Sequence, residues 1–218
     1  MSTFPNSPKL LKGGIVLLDP DTAAVQRIIS LQYNPDTLTR SLQIQGVAID
    51  SGGDRSEILR LKGPPVETIK LDAEIDATDQ LELADSQSTQ VGLHAQLAAL
   101  ETIVYPLSTQ LLANNSQAAS GSIEIVPMRG PLTLFVFGPN RIVPVRISEF
   151  TITEEAFDTS LNPIRAKVSL GLRVLTVDDL GFNGKGGSLF MSYLLSKEQL
   201  ASQSKAGTFA MLGINGIP

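Results

Sequence analysis

Eleven residues about a third of the way along the chain leave little choice about what they become: from Val66 to Asp76, Ile69, Leu71, Ala73 and Ile75 alternate with Lys70, Asp72, Glu74 and Asp76. A period of two places the apolar set on one side of a pleated strand and the charged set on the other. The segment therefore predicts a long antiparallel strand with one face on a core and one in water. Gly63, Pro64 and Pro65 stand just ahead of it, where prolines cannot continue a hydrogen-bond ladder and so mark where a strand begins. The same alternation returns at Ile164, Ala166, Val168, Leu170, Leu172 and Val174, with Arg165, Lys167, Ser169 and Arg173 facing out.

Shorter runs fit between these two. Gly13 and Gly14 introduce Ile15 to Leu18, Asp19-Pro20-Asp21 has turn chemistry, and Val25, Ile28, Ile29 and Leu31 resume the apolar run, so a first hairpin is predicted. Tyr33-Asn34-Pro35-Asp36 breaks the extended chain, and a third strand is expected from Leu38 to Val47. In the second half, Leu132 to Phe137 and Arg141 to Ile152 flank a Gly138-Pro139-Asn140 turn. Val143, Val145 and Ile147 share one parity and Phe150 and Ile152 the other, which predicts a β-bulge at Ser148 or Glu149.

One stretch changes period. Leu93, Leu97, Leu100, Val104, Leu107 and Leu111 recur at steps of three and four, predicting one amphipathic helix over about residues 90–113, kinked or ended at Pro106. Asn114 to Ser122 is small and polar and reads as a loop. A second, short helix is expected over Leu189 to Leu200 with Leu194 and Leu195 buried, followed by an apolar, glycine-rich tail, Ala206 to Pro218, that needs another surface to cover it. The fold class is thus mainly β with one flanking helix and a short C-terminal helix. The expected organisation is an N-terminal arm at 1–12, one β domain at 13–178 and a C-terminal helix with extended tail at 179–218.

Composition narrows the chemistry. The chain has 218 residues, a formal net charge of -5 and no basic stripe, which speaks against nucleic acid as a partner. It has no cysteine, so disulfides, thiolate metal sites and cysteine nucleophiles are excluded. The single histidine, His94, has no second imidazole with which to hold zinc and no positioned nucleophile and acid for a triad. Gly181 to Ser188 lies between a strand and a helix as a phosphate loop would, but Asp179 stands where a Walker motif needs glycine and Gly186 follows Lys185. A strand-to-helix turn is the better reading. The acidic pairs Asp19/Asp21, Glu154/Glu155 and Asp178/Asp179 sit at turns or strand ends, where side-chain bonding to nearby backbone explains them better than acid/base work. No catalytic, cofactor-binding or metal-ligating residue is assigned, no cofactor is expected, and the protein is expected not to be an enzyme. Met1 to Gly14 lacks a basic start and apolar run, and no window approaches a bilayer span. Synthesis in the cytoplasm without a signal peptide and no direct membrane insertion are therefore expected.

Two blocks go beyond such statistics. The first is Gly13 to Leu42, ending in Leu31-Gln32-Tyr33-Asn34-Pro35-Asp36-Thr37-Leu38-Thr39-Arg40; the second is Leu134-Phe135-Val136-Phe137-Gly138 with Val145-Arg146-Ile147, then Glu155-Ala156-Phe157 and Leu161-Asn162-Pro163-Ile164-Arg165-Ala166-Lys167-Val168. In order and spacing they resemble the N-terminal tube-like domain of the contractile injection system proteins that join inner tube and baseplate, over approximately residues 12–178. Members of that family often continue into a LysM module, and the forty or so residues after Asp178 lack its pattern.

The resemblance implies a split β-barrel of two packed antiparallel sheets of the phage tail-tube type. It implies a homo-oligomeric ring, a hexamer, stacked between spike and tube. The implied partners are copies of itself, the tube protein, the spike protein and baseplate subunits, and the implied location is a cytoplasmic, membrane-anchored or lysis-released particle. The arm at 1–12, the loop around 48–64 and the tail at 206–218 become candidates for contacts to adjacent rings. Arg40, Arg146 and Arg165 become candidate anchors of turns or subunit contacts, beside the alternative of solvated strand-face charges. Competing readings are a phage tail tube or tail-completion protein, a monomeric β-barrel binding module, and a hydrolase using the paired acids.

Overall fold

The computed structural model describes residues 10–46, 60–119 and 130–217. Most of the arm at 1–12 and of the loop around 48–64 lies outside the described residues, as does Val47. Seven strands, β1 (Gly14–Leu18), β2 (Val25–Ser30), β3 (Leu38–Gln43), β4 (Val66–Asp76), β5 (Leu132–Val136), β6 (Ile142–Phe157) and β7 (Pro163–Val174), form one open antiparallel sheet in the order β2-β1-β5-β6-β7-β4-β3. The described strands thus form a single sheet and not two separate ones.

The two long alternating segments are partners. Ile69, Leu71, Ala73 and Ile75 of β4 stand opposite Leu172, Leu170, Val168 and Ala166 of β7 on the buried face. Each fully buried Leu or Ile contributes roughly 1.5–3 kcal/mol relative to exposure. On the other face Lys70, Asp72, Glu74 and Asp76 oppose Gly171, Ser169, Lys167 and Arg165, and cross-strand ion pairs join Arg165 to Asp76 at 3.0 Å and Lys167 to Asp72 at 3.5 Å. These surface pairs add little stability; the register is set by the buried face, since a one-residue slip would turn its apolar set to water.

The expected bulge is present. Ile147 faces Leu172 and Glu149 faces Gly171, with Ser148 unpaired between them and its Oγ donating to the Gly171 carbonyl at 3.1 Å. The extra residue returns Phe150 and Ile152 to the side of Val145 and Ile147, opposite Leu170 and Val168. Gly171 accommodates the crowding: a Cβ there would lie 2.9 Å from the Glu149 Cβ.

The helical region differs from expectation. In place of one helix over 90–113 there are α1 (Thr78–Glu82), α2 (Ser86–Val91), α3 (His94–Glu101) and α4 (Ser108–Ala119). Gly92, at φ +52° with the Pro163 carbonyl 2.5 Å from where a Cβ would be, separates α2 from α3, and the Thr102–Leu107 turn containing Pro106 separates α3 from α4. The stripe splits accordingly: Leu93, Leu97 and Leu100 cap the core, whereas Val104, Leu107 and Leu111, beyond or beside the proline turn, are exposed. The segment expected as a loop from Asn114 is helical as far as Ala119.

After β7, α5 (Val177–Leu180) starts with a capping box between Thr176 and Asp179, and α6 runs from Lys185 to Ser202. The glycines between them serve contact: a Cβ on Gly187 would lie 1.8 Å from the Gly181 carbonyl oxygen. The α6 face that packs is Phe190 and Tyr193, not Leu194 and Leu195; Leu194 is half-buried and Leu195 is 53% exposed. The tail forms a short 3-10 turn, Phe209–Leu212, with all its described residues exposed.

The Gln32-Tyr33-Asn34-Pro35 turn ties distant parts together through two amide side chains. Gln32 Nε2 donates to the Asp76 carbonyl at 2.7 Å and its Oε1 accepts from the Asp76 N–H at 2.9 Å, so it mimics a neighbouring strand at the end of β4. Asn34 does the same at the start of β1, accepting from Gly13 N–H and donating to the Leu11 carbonyl, both at 2.8 Å. Gln32→Ala and Asn34→Ala are each expected to lower unfolding free energy by about 1–2 kcal/mol, since each leaves partly buried backbone groups unpaired. Urea unfolding of the two variants beside Tyr33→Ala, whose half-exposed ring has no such clamp, checks this.

Candidate functional site

Unequal strand lengths determine where the sheet remains unsatisfied. β5 pairs with β6 only from Ile142 to Val145, whereas β7 follows β6 from Val145 to Phe157. From Arg146 onward, β6 has a described neighbour on one side only. β3 is likewise paired on one side, by β4, and β2 by β1. Among the described residues the four-strand ribbon β6-β7-β4-β3 thus has a free edge along each side, and β2 ends the opposite wing with another. Such edges present rows of unpaired N–H and C=O groups, which natural proteins cover, charge or pair with a second chain.

Apolar side chains accompany these edges. On β2, Val25 and Ile28 are exposed, Ile28 at 68%. Leu42 and Ile44 at the end of β3 are exposed, Ile44 at 74%, and Leu61, whose backbone lies by Gly46, joins them. At the opposite end of the ribbon Phe157 and Leu161 protrude from the β6–β7 hairpin, Leu161 at 77%. A cleft of about 460 Å³ lies between Ile103 and Val104 and the β6 segment Val145 to Ile147.

The β3 edge is held by a buried ion cluster that the sequence analysis did not find. Glu67, the second residue of β4, is only 3% exposed. Arg40 of β3 donates to its Oε1 through Nε at 2.7 Å, and Lys197 of α6 donates to its Oε2 at 2.9 Å. The Tyr193 hydroxyl donates to Oε1 at 3.0 Å and accepts from Arg40 Nη2 at 3.1 Å, while Lys197 Nζ lies 4.0 Å from the Tyr193 ring centroid. Burial by itself would raise the Glu67 carboxyl; the hydrogen bonds from Arg40 and Lys197, with their charges, outweigh it and hold the group below the usual glutamate range. Its bond to Glu67 in turn raises Arg40, against the cost of burial. Both carboxylate oxygens are occupied by donors, so the cluster orients α6 and the edge strand and is poorly suited to proton transfer. A glutamate in phase with Ile69 and Leu71 was the available signal, but its partners Tyr193 and Lys197 lie 126 and 130 residues away.

The other singled-out residues disperse. Arg165 pairs with Asp76, and Arg146 is exposed beside the cleft. His94 is exposed at the start of α3. Asp19 caps its own turn, with its carboxylate accepting from the N–H groups of Thr22 at 2.8 Å and Asp21 at 3.1 Å, and these bonds hold it below the usual range. Asp179 caps α5 and pairs with Arg173 at 2.9 Å. Glu154 and Glu155 are exposed on β6, opposite Ala166 and Arg165. Among the described residues no three His, Asp or Glu side chains are placed to hold a metal ion, and no helix is long and apolar enough to cross a membrane. No protein-family model matches the chain, and no curated protein matches it in sequence.

Glu67→Ala is expected to cost about 2–4 kcal/mol, because it leaves Arg40 and Lys197 facing each other without the carboxylate. Since the carboxyl is lowered in the folded state, its contribution is complete above the unfolded-state pKa of about 4.3 and disappears as pH falls through the folded value. Urea midpoints measured from pH 7 down to pH 3 should therefore fall less steeply for Glu67→Gln, starting from a lower value at pH 7, than for the natural chain.

Proposed function

We propose that this chain is a non-enzymatic, ring-forming subunit of a contractile injection particle, the hub or tube-initiating ring between spike and inner tube. The observation that carries this reading is the ribbon β6-β7-β4-β3, which among the described residues has a free edge on each side. Its strands alternate in direction, and four is an even number. The β6 of a second copy laid beside β3 therefore continues the antiparallel order. Repeated, the same contact is heterologous and closes into a ring if the rotation per copy divides a full turn. In that arrangement the tube-like split barrel becomes a property of the assembly, each copy adding four strands to a shared wall.

The chemistry of the two ribbon faces supports the same arrangement. One face carries Ile69, Leu71, Val168 and Leu170 against the chain's own core. The other carries Lys70, Asp72, Lys167 and Ser169, joined by Lys70–Glu149 at 2.8 Å and Ser169–Asp72 at 2.6 Å, a hydrated surface fit to line a channel. The exposed apolar tail from Phe209 to Ile217 suits contacts with neighbouring tube, spike or baseplate subunits. The block containing Gln32 and Asn34, on which the family resemblance rests, works here as a two-sided backbone clamp. A phage tail tube or tail-completion ring would use the same edges, and neighbouring genes for sheath and spike or for capsid and portal distinguish the two.

The test is light scattering and negative-stain imaging of the purified chain, alone and with its tube and spike neighbours, together with Thr153→Pro and Glu154→Pro. Neighbouring positions of β6 point their N–H groups to opposite sides. One proline thus removes a bond to β7 and destabilises the fold, and the other blanks only the free edge. Rings from the natural chain and a folded monomer from the edge-blanking variant are expected. A natural chain that stays monomeric beside its partners, or an edge-blanked variant that assembles undiminished, contradicts the reading.

A further inference from the structure

The side chains on the two free edges of the ribbon match one another position by position. After the bulge, the core-side positions of β6 are Phe150, Ile152 and Glu154, opposite Leu170, Val168 and Ala166, and then Ala156 in the same phase. Phe150 and Ile152 are half-buried. Glu154 is exposed and makes no hydrogen bond or ion pair among the described residues. On β3 the core-side positions are Leu38, Arg40 and Leu42, opposite Leu71, Ile69 and Glu67. Exposed Ile44 follows just past the end of that strand.

Two further features stand at these edges. Arg40 uses Nε on Glu67 and Nη2 on Tyr193, which leaves Nη1 uncommitted among the described residues, on a side chain 29% exposed. Along the free edge of β6, a cleft of about 420 Å³ separates Phe150 and Ile152 from Val104 and Tyr105 of the turn after α3. A strand added to that edge sends its own core-side residues into this cleft.

We propose that the lateral contact between copies, on whose existence this inference rests, has one register: Leu42 of one copy lies against Ile152 of the next, Arg40 against Glu154 and Leu38 against Ala156. Ile44 then comes beside Phe150. Leu42 and Ile44 fill the cleft under Val104 and Tyr105, and the unengaged carboxylate meets the uncommitted nitrogen of Arg40. On the wet face the same register sets Gln43 against Thr151, Ser41 against Thr153 and Thr39 against Glu155, so no like charges are opposed. A slip of one residue turns Leu42 to the wet face. A slip of two sets Glu154 against Leu38 or Leu42, and Arg40 against Ile152 or Ala156, so acid and base both lose their partner. Within one chain the two edges do not meet, because β7 and β4 lie between them and three strand spacings hold them about 14 Å apart. The match is thus available only to a second copy.

The absence of cysteine permits a direct test. The double variant Ser41→Cys/Thr153→Cys places one thiol of each copy directly opposite a thiol of the next. Thr39→Cys/Thr153→Cys and Gln43→Cys/Thr153→Cys place them one diagonal step apart. A disulfide needs Cβ atoms within about 4.5 Å, a distance that opposed positions provide and diagonal ones exceed. Mild oxidation of the full chain with its tube and spike neighbours is expected to give a ladder of covalent oligomers, about tenfold faster for the opposed pair than for either diagonal pair. Leu42→Ser is expected to weaken assembly about tenfold, and Glu154→Lys, which sets a lysine against Arg40, to do the same and to reverse its salt dependence. Rings whose crosslinks favour a diagonal pair, or Glu154→Lys chains that assemble like the natural one, overturn this register and leave the ring. A natural chain that never assembles beside its neighbours overturns both.

Discussion

The one-residue bulge at Ser148 is the constraint on which the sheet depends. β6 is 16 residues long, and a strand of that length cannot keep one face in the core if its apolar positions change parity midway. Val145 and Ile147 lie in one phase, Phe150 and Ile152 in the other. The unpaired Ser148 absorbs the mismatch, and Gly171 on β7 makes room for it. Remove that room and either Phe150 and Ile152 or Val145 and Ile147 face water. The bulge also adds local twist, at the point where β5 has ended and β6 continues with β7 alone.

From this follows a division of labour. β1, β2 and β5 are five or six residues long and complete a small wing in which β1 and β5 are largely buried and β2 is largely exposed. β4, β6 and β7 extend beyond it as a ribbon with one dry and one wet face. The Glu67 cluster then fixes the far side of that ribbon by tying β3 and β4 to α6. A buried ion cluster is a weak source of stability and a good source of positional definition, because few arrangements satisfy all its members at once. The edge strand is thereby held in one place although only one neighbour pairs with it.

Much of the sheet was legible because its signals are local. The two-residue period of Val66 to Asp76, the parity change before Phe150 and the turn chemistry at Asp19 and Gly138 each lie within a dozen residues, and each corresponds to an observed element. The helical region was less legible. The three- and four-residue steps from Leu93 to Leu111 are real, but Gly92 and Pro106 redirect the axis, and periodicity does not report which turns of a helix still lie on the core. On α6, Tyr193 and not Leu194 or Leu195 faces inward, since its hydroxyl is drawn to Glu67, a partner 126 residues earlier in the chain. The sheet order was hidden for the same reason: nothing local tells Gly14 that it will lie beside Val136.

That last pairing has a consequence for how the chain is made. β1 waits for β5, 114 to 122 residues later, and β4 for β7, 89 to 105 residues later, so a long stretch of chain separates each strand from the partner that completes it. On a ribosome that emits residues in order, the first hairpin and the alternating β4 emerge well before any wall exists to receive them. Pairings of such long sequence separation form slowly, and meanwhile the apolar side of β4 is open to other nascent chains. The soluble charges on its opposite side, Lys70, Asp72, Glu74 and Asp76, protect the strand during synthesis as much as they define its outer face afterwards.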